Sequence, residues 1–304
     1  MREQGEALAA LWASESVIYG RFGYGLGIES YSFKIRRERT DFAANPPPRG
    51  RVRLHLLEDC RELIPPAWDA FRAQQPGMVA RSAAWWNVRV FTDAEAFREG
   101  WSERHIATYE RDGEIRGYVA YNAKEKWDRT GPDGEINVLE LIALDDDAYG
   151  ALWRFIFGID LVGTITAGNR RRDEPLFWML RDPRRLERNA EDAIWLRITD
   201  IAKALENRRY SLDSAVTFAV RDDFLTGVGG TFRLEGSPGG ARCTRSTGTA
   251  EISLDIRDLS AAYMGGVTFS TLARAGRVEG SVDALRRADL MFSWDPLPWC
   301  PEHF

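Results

Sequence analysis

The sequence predicts a mixed α/β protein, of the α/β or α+β class, and three observations carry that reading. The dipeptide Asp112-Gly113 separates the alternating runs HIATYER and EIRGYVAYNAKE, which is the signal of a tight hairpin. The strand pattern EINVLELIAL is followed by an amphipathic helix pattern, DAYGALWRFIFGID, and then by the strand pattern LVGTITAG, the order of a crossover unit. Towards the end, the runs SAVTFAV, GGTFRLEG, GARCTRS and AEISLDI alternate between Gly-rich turns and read as a four-stranded antiparallel meander.

Length and composition bound the rest. At 304 residues the chain exceeds one ordinary core, and about 100 to 200 residues per domain gives two or three units. With 44% hydrophobic and 29% charged residues, the composition is that of a globular protein rather than a disordered one. No apolar run approaches the ~18 residues of a spanning helix. The N-terminus MREQGEALAALWAS is not built as a secretory signal, so a cytoplasmic protein is expected. A formal charge of −5 argues against general nucleic-acid binding, although Arg170, Arg171 and Arg172 cluster. Cys60, Cys243 and Cys300 are scattered, as are His55, His105 and His303. Neither set has the spacing of a disulfide framework or a zinc site, and no metal is expected.

In chain order, EALAALWA at 6–13 reads as a short buried strand because turn signals follow at once. SESVIYGRFGYGLG then interleaves Gly20, Gly23, Gly25 and Gly27 with Tyr19, Phe22 and Tyr24. Glycines let the backbone approach something closely and the rings supply a wall; a Tyr in such a loop also reads as plain packing. Tyr31 to Arg37 alternates as an exposed strand, and NPPPRG at 45–50 is a stiff linker that marks a boundary. RVRLHLL is a strand, and residues 58–75 form a helix that Pro65 and Pro66 are expected to kink or restart. RSAAWWNVRVF reads as a further helix. After the crossover unit, Ile194, Leu196 and Ile198 share one strand face and Asp200 is placed to cap the helix IAKALENRR. RDLSAAYMG and VDALRRADLMF are the last helices.

The final stretch, Trp294 to Phe304 (WDPLPWCPEHF), holds two Trp, one Phe and the prolines Pro296, Pro298 and Pro301. Proline fixes φ, so the strip is stiff and loses little entropy on docking. Each buried aromatic adds roughly 1.5 to 3 kcal/mol. A docked tail carries the Phe304 α-carboxylate, with a reference pKa of about 3.3 to 3.7, to a specific place. The same residues equally fit a tail that only closes a core and leaves its charge in water.

Four motifs in order, ASESVIYGRFGYG, RAQQPGMVARSAAWW, ALWRFIFGIDLV and DPLPWCPEHF, resemble the enhanced intracellular survival (Eis) acetyltransferases of the GNAT superfamily. The resemblance implies three parts: residues 1–45 as the C-terminal remnant of a catalytic GNAT domain, 46–192 as a degenerate second GNAT-like domain, and 193–304 as a sterol-carrier-like domain. The C-terminal tail would return to the active site. It further implies acetyl transfer from acetyl-CoA to an amine (an aminoglycoside, a polyamine or a lysine side chain) and a homo-oligomer. Tyr19 aligns with the family's general acid and the Phe304 carboxylate with its general base. A Tyr near pKa 10 can protonate a departing thiolate, whose acid lies near 8.5. A carboxylate must be raised by desolvation or act through water to serve as base, and packing at Trp299 and Phe304 is expected to supply the desolvation. His303, just before the terminal Phe, departs from the family pattern.

GNAT enzymes hold the CoA pyrophosphate on a loop of pattern R/Q-x-x-G-x-G/A at a helix N-terminus. The two matches here, Arg2 to Ala7 and Arg245 to Ala250, lead into strand patterns and read as accidental. The equivalent place in the middle region holds Asp145, Asp146 and Asp147, which repel phosphate. The cofactor-binding residues are therefore expected upstream of Met1. On that expectation about 100 residues of a domain are absent, EALAALWA has lost its sheet neighbours, and the chain binds acetyl-CoA weakly. A competing reading is a non-catalytic lipid-binding or oligomer-scaffold module.

Overall fold

The computed structural model describes residues 4–44, 46–129 and 131–304. In chain order its elements are β1 (Leu8–Trp12), α1 (Ser16–Gly20), β2 (Gly25–Arg36), β3 (Arg51–His55), α2 (Cys60–Arg72), α3 (Ala83–Trp85), β4 (His105–Arg111), β5 (Glu114–Lys124), β6 (Trp127–Asp128), β7 (Gly131–Pro132), β8 (Gly134–Ala143), α4 (Asp146–Phe157), β9 (Val162–Arg170) and α5 (Leu176–Met179). There follow β10 (Glu187–Ile198), α6 (Ile201–Glu206), β11 (Ser214–Arg221), β12 (Gly230–Ser237), β13 (Gly240–Arg245), β14 (Ile252–Asp255), α7 (Ile256–Ala262), α8 (Phe269–Arg274), β15 (Val278–Gly280) and α9 (Val282–Phe292). They make two compact units. One is continuous, Tyr31–Glu191, and the other joins the residues up to Ser30 to Asp192–Phe304.

The continuous unit is a mixed sheet in the order β2-β9-β8-β5-β4-β3. The Asp112-Gly113 turn joins β4 to β5 with both residues at positive φ, 54° and 80°, as a two-residue hairpin requires. β8 runs parallel to β9, with α4 as the crossover between them. The apolar stripe of α4, with Leu152, Trp153, Ile156 and Phe157, packs into the core with Val119, Ile136 and Val138. α2 does not restart at its prolines: it runs unbroken from Cys60 to Arg72 with Pro65 and Pro66 inside it. Burial of Cys60, Ile64, Ala67 and Trp68 along one face offsets the two missing amide donors. The RSAAWW segment forms the short α3, capped by Ser82, and continues as a π turn from Trp86 to Val90.

In the discontinuous unit β1 pairs antiparallel with β10, Leu8 opposite Ile198 and Trp12 opposite Ile194. The strand expected to stand without sheet neighbours therefore has one, supplied by a segment nearly two hundred residues later in the chain. Asp200 caps α6 as its position predicts, accepting from the Lys203 amide at 3.1 Å. The second sheet has the order β13-β12-β11-β14-β15. This corrects the meander: β11, β12 and β13 are antiparallel neighbours, but β14 crosses to the far side of β11 and pairs with it in parallel. Alternation within a strand reports its faces and not its neighbours, which is why the runs themselves do not reveal the crossing. The core of this sheet is filled by Tyr210, Phe218, Phe269 and Phe292, whose ring centroids lie 5.0 to 6.1 Å apart.

Candidate functional site

The loop that follows β1 is where the motif residues converge. α1 carries Tyr19, and the Gly20–Gly25 turn brings Tyr24 back so that the two rings meet edge to face at 6.0 Å. The glycines serve the close approach the sequence suggests. A Cβ on Gly25 would lie 1.9 Å from the Arg257 carbonyl oxygen, so this end of β2 rests directly on the backbone of α7. Gly23, at φ +80°, leaves room for Arg197, whose Nη1 would be 2.3 Å from an added Cβ.

Arg197 is 2% exposed and its Nη2 donates to Asp222 Oδ2 at 2.5 Å. Its Nε and Nη1 are buried with no hydrogen-bond partner among the described residues. Burial pushes the Tyr24 hydroxyl above its ordinary pKa; the Arg197 cation opposes that rise and the neighbouring Tyr19 adds to it.

Beside this loop lies a cleft of about 570 Å³. Ser16, Val17 and Gly20 of α1 form one wall, Trp195 of β10 another, and Arg21, Arg257 and Arg277 bring guanidinium groups to it.

The C-terminal tail docks, as its composition predicts. Trp299 and Cys300 are 1% exposed and Glu302 is 5% exposed. Trp12 Nε1 donates to the Glu302 carbonyl at 2.7 Å, and its ring meets that of His303 at 4.6 Å. Phe304 is 45% exposed, so the desolvation expected from packing at Phe304 is supplied at Trp299 and not at the terminal residue. The last residues are thus held on the end of β1, which three intervening residues separate from α1. Among the described residues no hydrogen bond or ring contact joins Tyr19 to Phe304 directly.

The α4 N-terminus, the place a pyrophosphate loop would take in the continuous unit, is filled by its own acids. Asp145 Oδ1 accepts from the Ala148 amide at 3.0 Å, and its Oδ2 accepts from Arg111 at 2.9 Å and Arg116 at 3.2 Å. Asp147 accepts from the Tyr109 hydroxyl and from Arg111. Burial alone would raise both carboxyls. The amide and arginine contacts at Asp145, and those of Tyr109, the Arg49 amide and Arg111 at Asp147, outweigh burial and hold both below the usual carboxylate range. These residues do not fit a phosphate group. Of the two loop-pattern matches, Arg245–Ala250 runs from the end of β13 toward β14 and opens no helix, and Arg2 lies outside the described residues. Among the described residues no cluster of three or more His, Cys, Asp or Glu side chains is placed to hold a metal. Burial pushes the Cys60 thiol up to about 11 and the Cys243 thiol to about 12, so neither offers a thiolate at neutral pH.

Arg197, Trp195 and Trp12 were not singled out from the sequence. The signal for the first two was present: in AIWLRITD they alternate with Ile194, Leu196 and Ile198 and so share the opposite face.

Two domain families match the chain, an acetyltransferase (GNAT) domain over residues 77–198 and a sterol carrier protein domain over residues 201–301. Among curated relatives, an uncharacterized N-acetyltransferase of Streptomyces avermitilis is 38% identical over 307 residues, covering 100% of this chain and 75% of the relative. N-acetyltransferase Eis of Mycobacterium tuberculosis is 34% identical over 301 residues, covering 96% of this chain and 71% of the relative. The chain belongs to the Eis-like GNAT N-acetyltransferases. The crystal structure of Eis1 from Mycobacterium abscessus superposes with a TM-score of 0.83 at 32% identity, over 100% of this chain and 75% of that one.

An Eis-like chain is an acetyl-CoA-dependent N-acetyltransferase, here with its GNAT domain followed by a sterol-carrier-like domain. The matches do not support the expectation that the chain lacks most of its acetyltransferase domain, since a GNAT match falls inside it; the chain spans about three quarters of the relatives' length. Among the described residues no helix is long and apolar enough to cross a membrane.

Proposed function

We propose that this Eis-like acetyltransferase moves the acetyl group of acetyl-CoA to an amine with Tyr19 as general acid and the Phe304 α-carboxylate as general base. The acceptor would be an aminoglycoside, a polyamine or a lysine side chain. Attack by the amine nitrogen on the thioester carbonyl forms the N–C bond and expels the CoA thiolate. The carboxylate, directly or through one water, takes the proton that the nitrogen sheds, and the Tyr19 hydroxyl supplies one to the leaving sulfur. The exposure of Phe304 favours the route through water, because a solvated carboxylate is a weak base for an ammonium.

The observation that carries this reading is 38% identity, over 100% of this chain, to a relative named as an uncharacterized N-acetyltransferase. The docked tail supports it. Trp12 ties the segment around Glu302 to the strand that leads into α1, so the terminus has a defined place instead of a frayed one. The lipid-carrier alternative has an observation against it, because aromatic side chains fill the core of the sterol-carrier-like sheet. We read the enzyme further as a cytoplasmic homo-oligomer, and light scattering on the purified chain tests the second point.

Thiol release from acetyl-CoA with a panel of amines tests the assignment. Tyr19→Phe should lower kcat by about 10²-fold or more. One glycine added after Phe304 should lower it by a similar factor by moving the carboxylate. Unchanged turnover in the extended chain would remove Phe304 from the mechanism, and unchanged turnover in Tyr19→Phe would remove Tyr19.

A further inference from the structure

The cleft beside α1 carries a charge arrangement that the roles of Tyr19 and Phe304 do not use. Of its charged lining groups three are arginines, Arg21, Arg257 and Arg277, and one is an acid, Glu29. Acids lie within 4.0 Å of two of these arginines, Arg257 and Arg277. Asp258, at the first turn of α7, is 1% exposed and forms an ion pair with Arg277, whose Nη2 lies 2.6 Å from its Oδ1. Arg257 Nε reaches Asp255 and Asp258 only at 4.0 and 3.9 Å and is buried without a hydrogen-bond partner. Arg21 has no ion-pair partner among the described residues, and its Nε reaches only the Ile18 carbonyl.

A guanidinium presents five donors in a fixed planar fork, suited to two oxygens of a phosphate or carboxylate. A buried acid behind such a group fixes its orientation and leaves the outward donors free. Trp195 and Tyr24, both part-buried, line the same cleft, and supply apolar surface beside the charge. The volume, about 570 Å³, lies in the range of small-molecule sites.

We propose that this cleft is an anion-binding subsite, taking a phosphate or carboxylate group borne on a body that lies against Trp195 and Tyr24. Two sources offer that chemistry: the phosphates of CoA, or an acidic group on the acceptor amine. In either case a polycation is not the occupant of this cleft, since three arginines repel it. The inference goes beyond the assignment of Tyr19 and Phe304 and does not require it, because its readout is binding and not turnover.

The test follows the intrinsic fluorescence that Trp195 contributes to, with calorimetry in parallel. Three probes separate the sources: 3′,5′-ADP for the CoA phosphates, phosphoethanolamine for an amine with an acidic group, and spermidine as the cationic control. Saturable binding of 3′,5′-ADP or of phosphoethanolamine, weakened by added salt and by at least about ten-fold in Arg257→Gln and Arg21→Gln, is the expected result. Preference for the first assigns the site to CoA, and preference for the second to the acceptor. Both substitutions leave the buried Asp258–Arg277 pair intact, and far-ultraviolet circular dichroism and the urea midpoint check that the variants fold. The proposal is overturned if neither anion binds, if binding is unchanged in both folded variants, or if spermidine binds there in their place.

Discussion

The first turns of α4 and α7 begin from the same ingredients and reach opposite results. Each opens on a capping Asp with further acids behind it, Asp145 with Asp146 and Asp147 in one case and Asp255 with Asp258 in the other, and each recruits arginines. At α4 the acid side chains are about a quarter exposed, and they bind Arg111 and Arg116 from several directions. At α7 Asp258 is buried, and the arginines it holds reach outward to a cleft. Burial of the acid decides the outcome: an accessible acid takes up the outward donors of its arginine, whereas a buried acid anchors the arginine from behind. Titration reflects the same contrast. Asp145 and Asp147 are held below the usual carboxylate range, while burial raises Asp258 above it, an effect that Arg277 and Arg257 only partly oppose and Asp255 reinforces.

The largest break in this contrast should come from Arg277→Ala, which leaves a buried acid without its close partner and should cost about 3 kcal/mol of unfolding free energy. Asp258→Asn in the same chain should recover much of the loss. Urea denaturation measures both, and a loss below about 1 kcal/mol would mean that Asp258 does not depend on the pair. Asp145→Ala should cost less, about 1 to 2 kcal/mol, as the lost cap of α4; a neutral result would deny the cap its role.

The smallest effect is in pH. The lowered carboxyls Asp145 and Asp147 contribute stability that is present above their unfolded pKa, near 3.9, and is lost as pH falls through the folded values. Asp258 acts with opposite sign, because the folded state takes up its proton first. Stability therefore gains from it as pH falls through its raised folded pKa toward about 3.9. Asp258→Asn should accordingly steepen the acid loss of stability and Asp145→Asn should flatten it, when unfolding free energy is followed from pH 6 down to about 3. Parallel profiles would show that the two helix starts do not differ in this way.

Much of the fold was legible because it rests on local signals. The Asp112-Gly113 turn, the α4 crossover and the Asp200 cap are each set by a few adjacent residues. What could not be read depends on partners distant in sequence. The neighbour of β1 is β10, and nothing in LAALW specifies it. The parallel placement of β14 is invisible to alternation, and the short α8 and β15 are too brief for a periodic pattern. In the site, the Gly-rich loop and the docking tail could be anticipated from composition. The three-arginine cleft could not, because Arg21, Arg257 and Arg277 are brought together only by the fold.

The bond from Trp12 to the Glu302 carbonyl closes a loop of 290 residues, and it has a consequence for how the molecule is made. Domains emerging from the ribosome generally fold in N-to-C order, but here the continuous Tyr31–Glu191 unit is available first, and β1 and α1 must wait for β10 and then for the residues near Glu302. Through that interval the edge of LAALW that β10 later covers stays open on the nascent chain, the kind of strand edge chaperones hold. The loop that carries Tyr19 is made well before β10 and the residues near Glu302 that secure it.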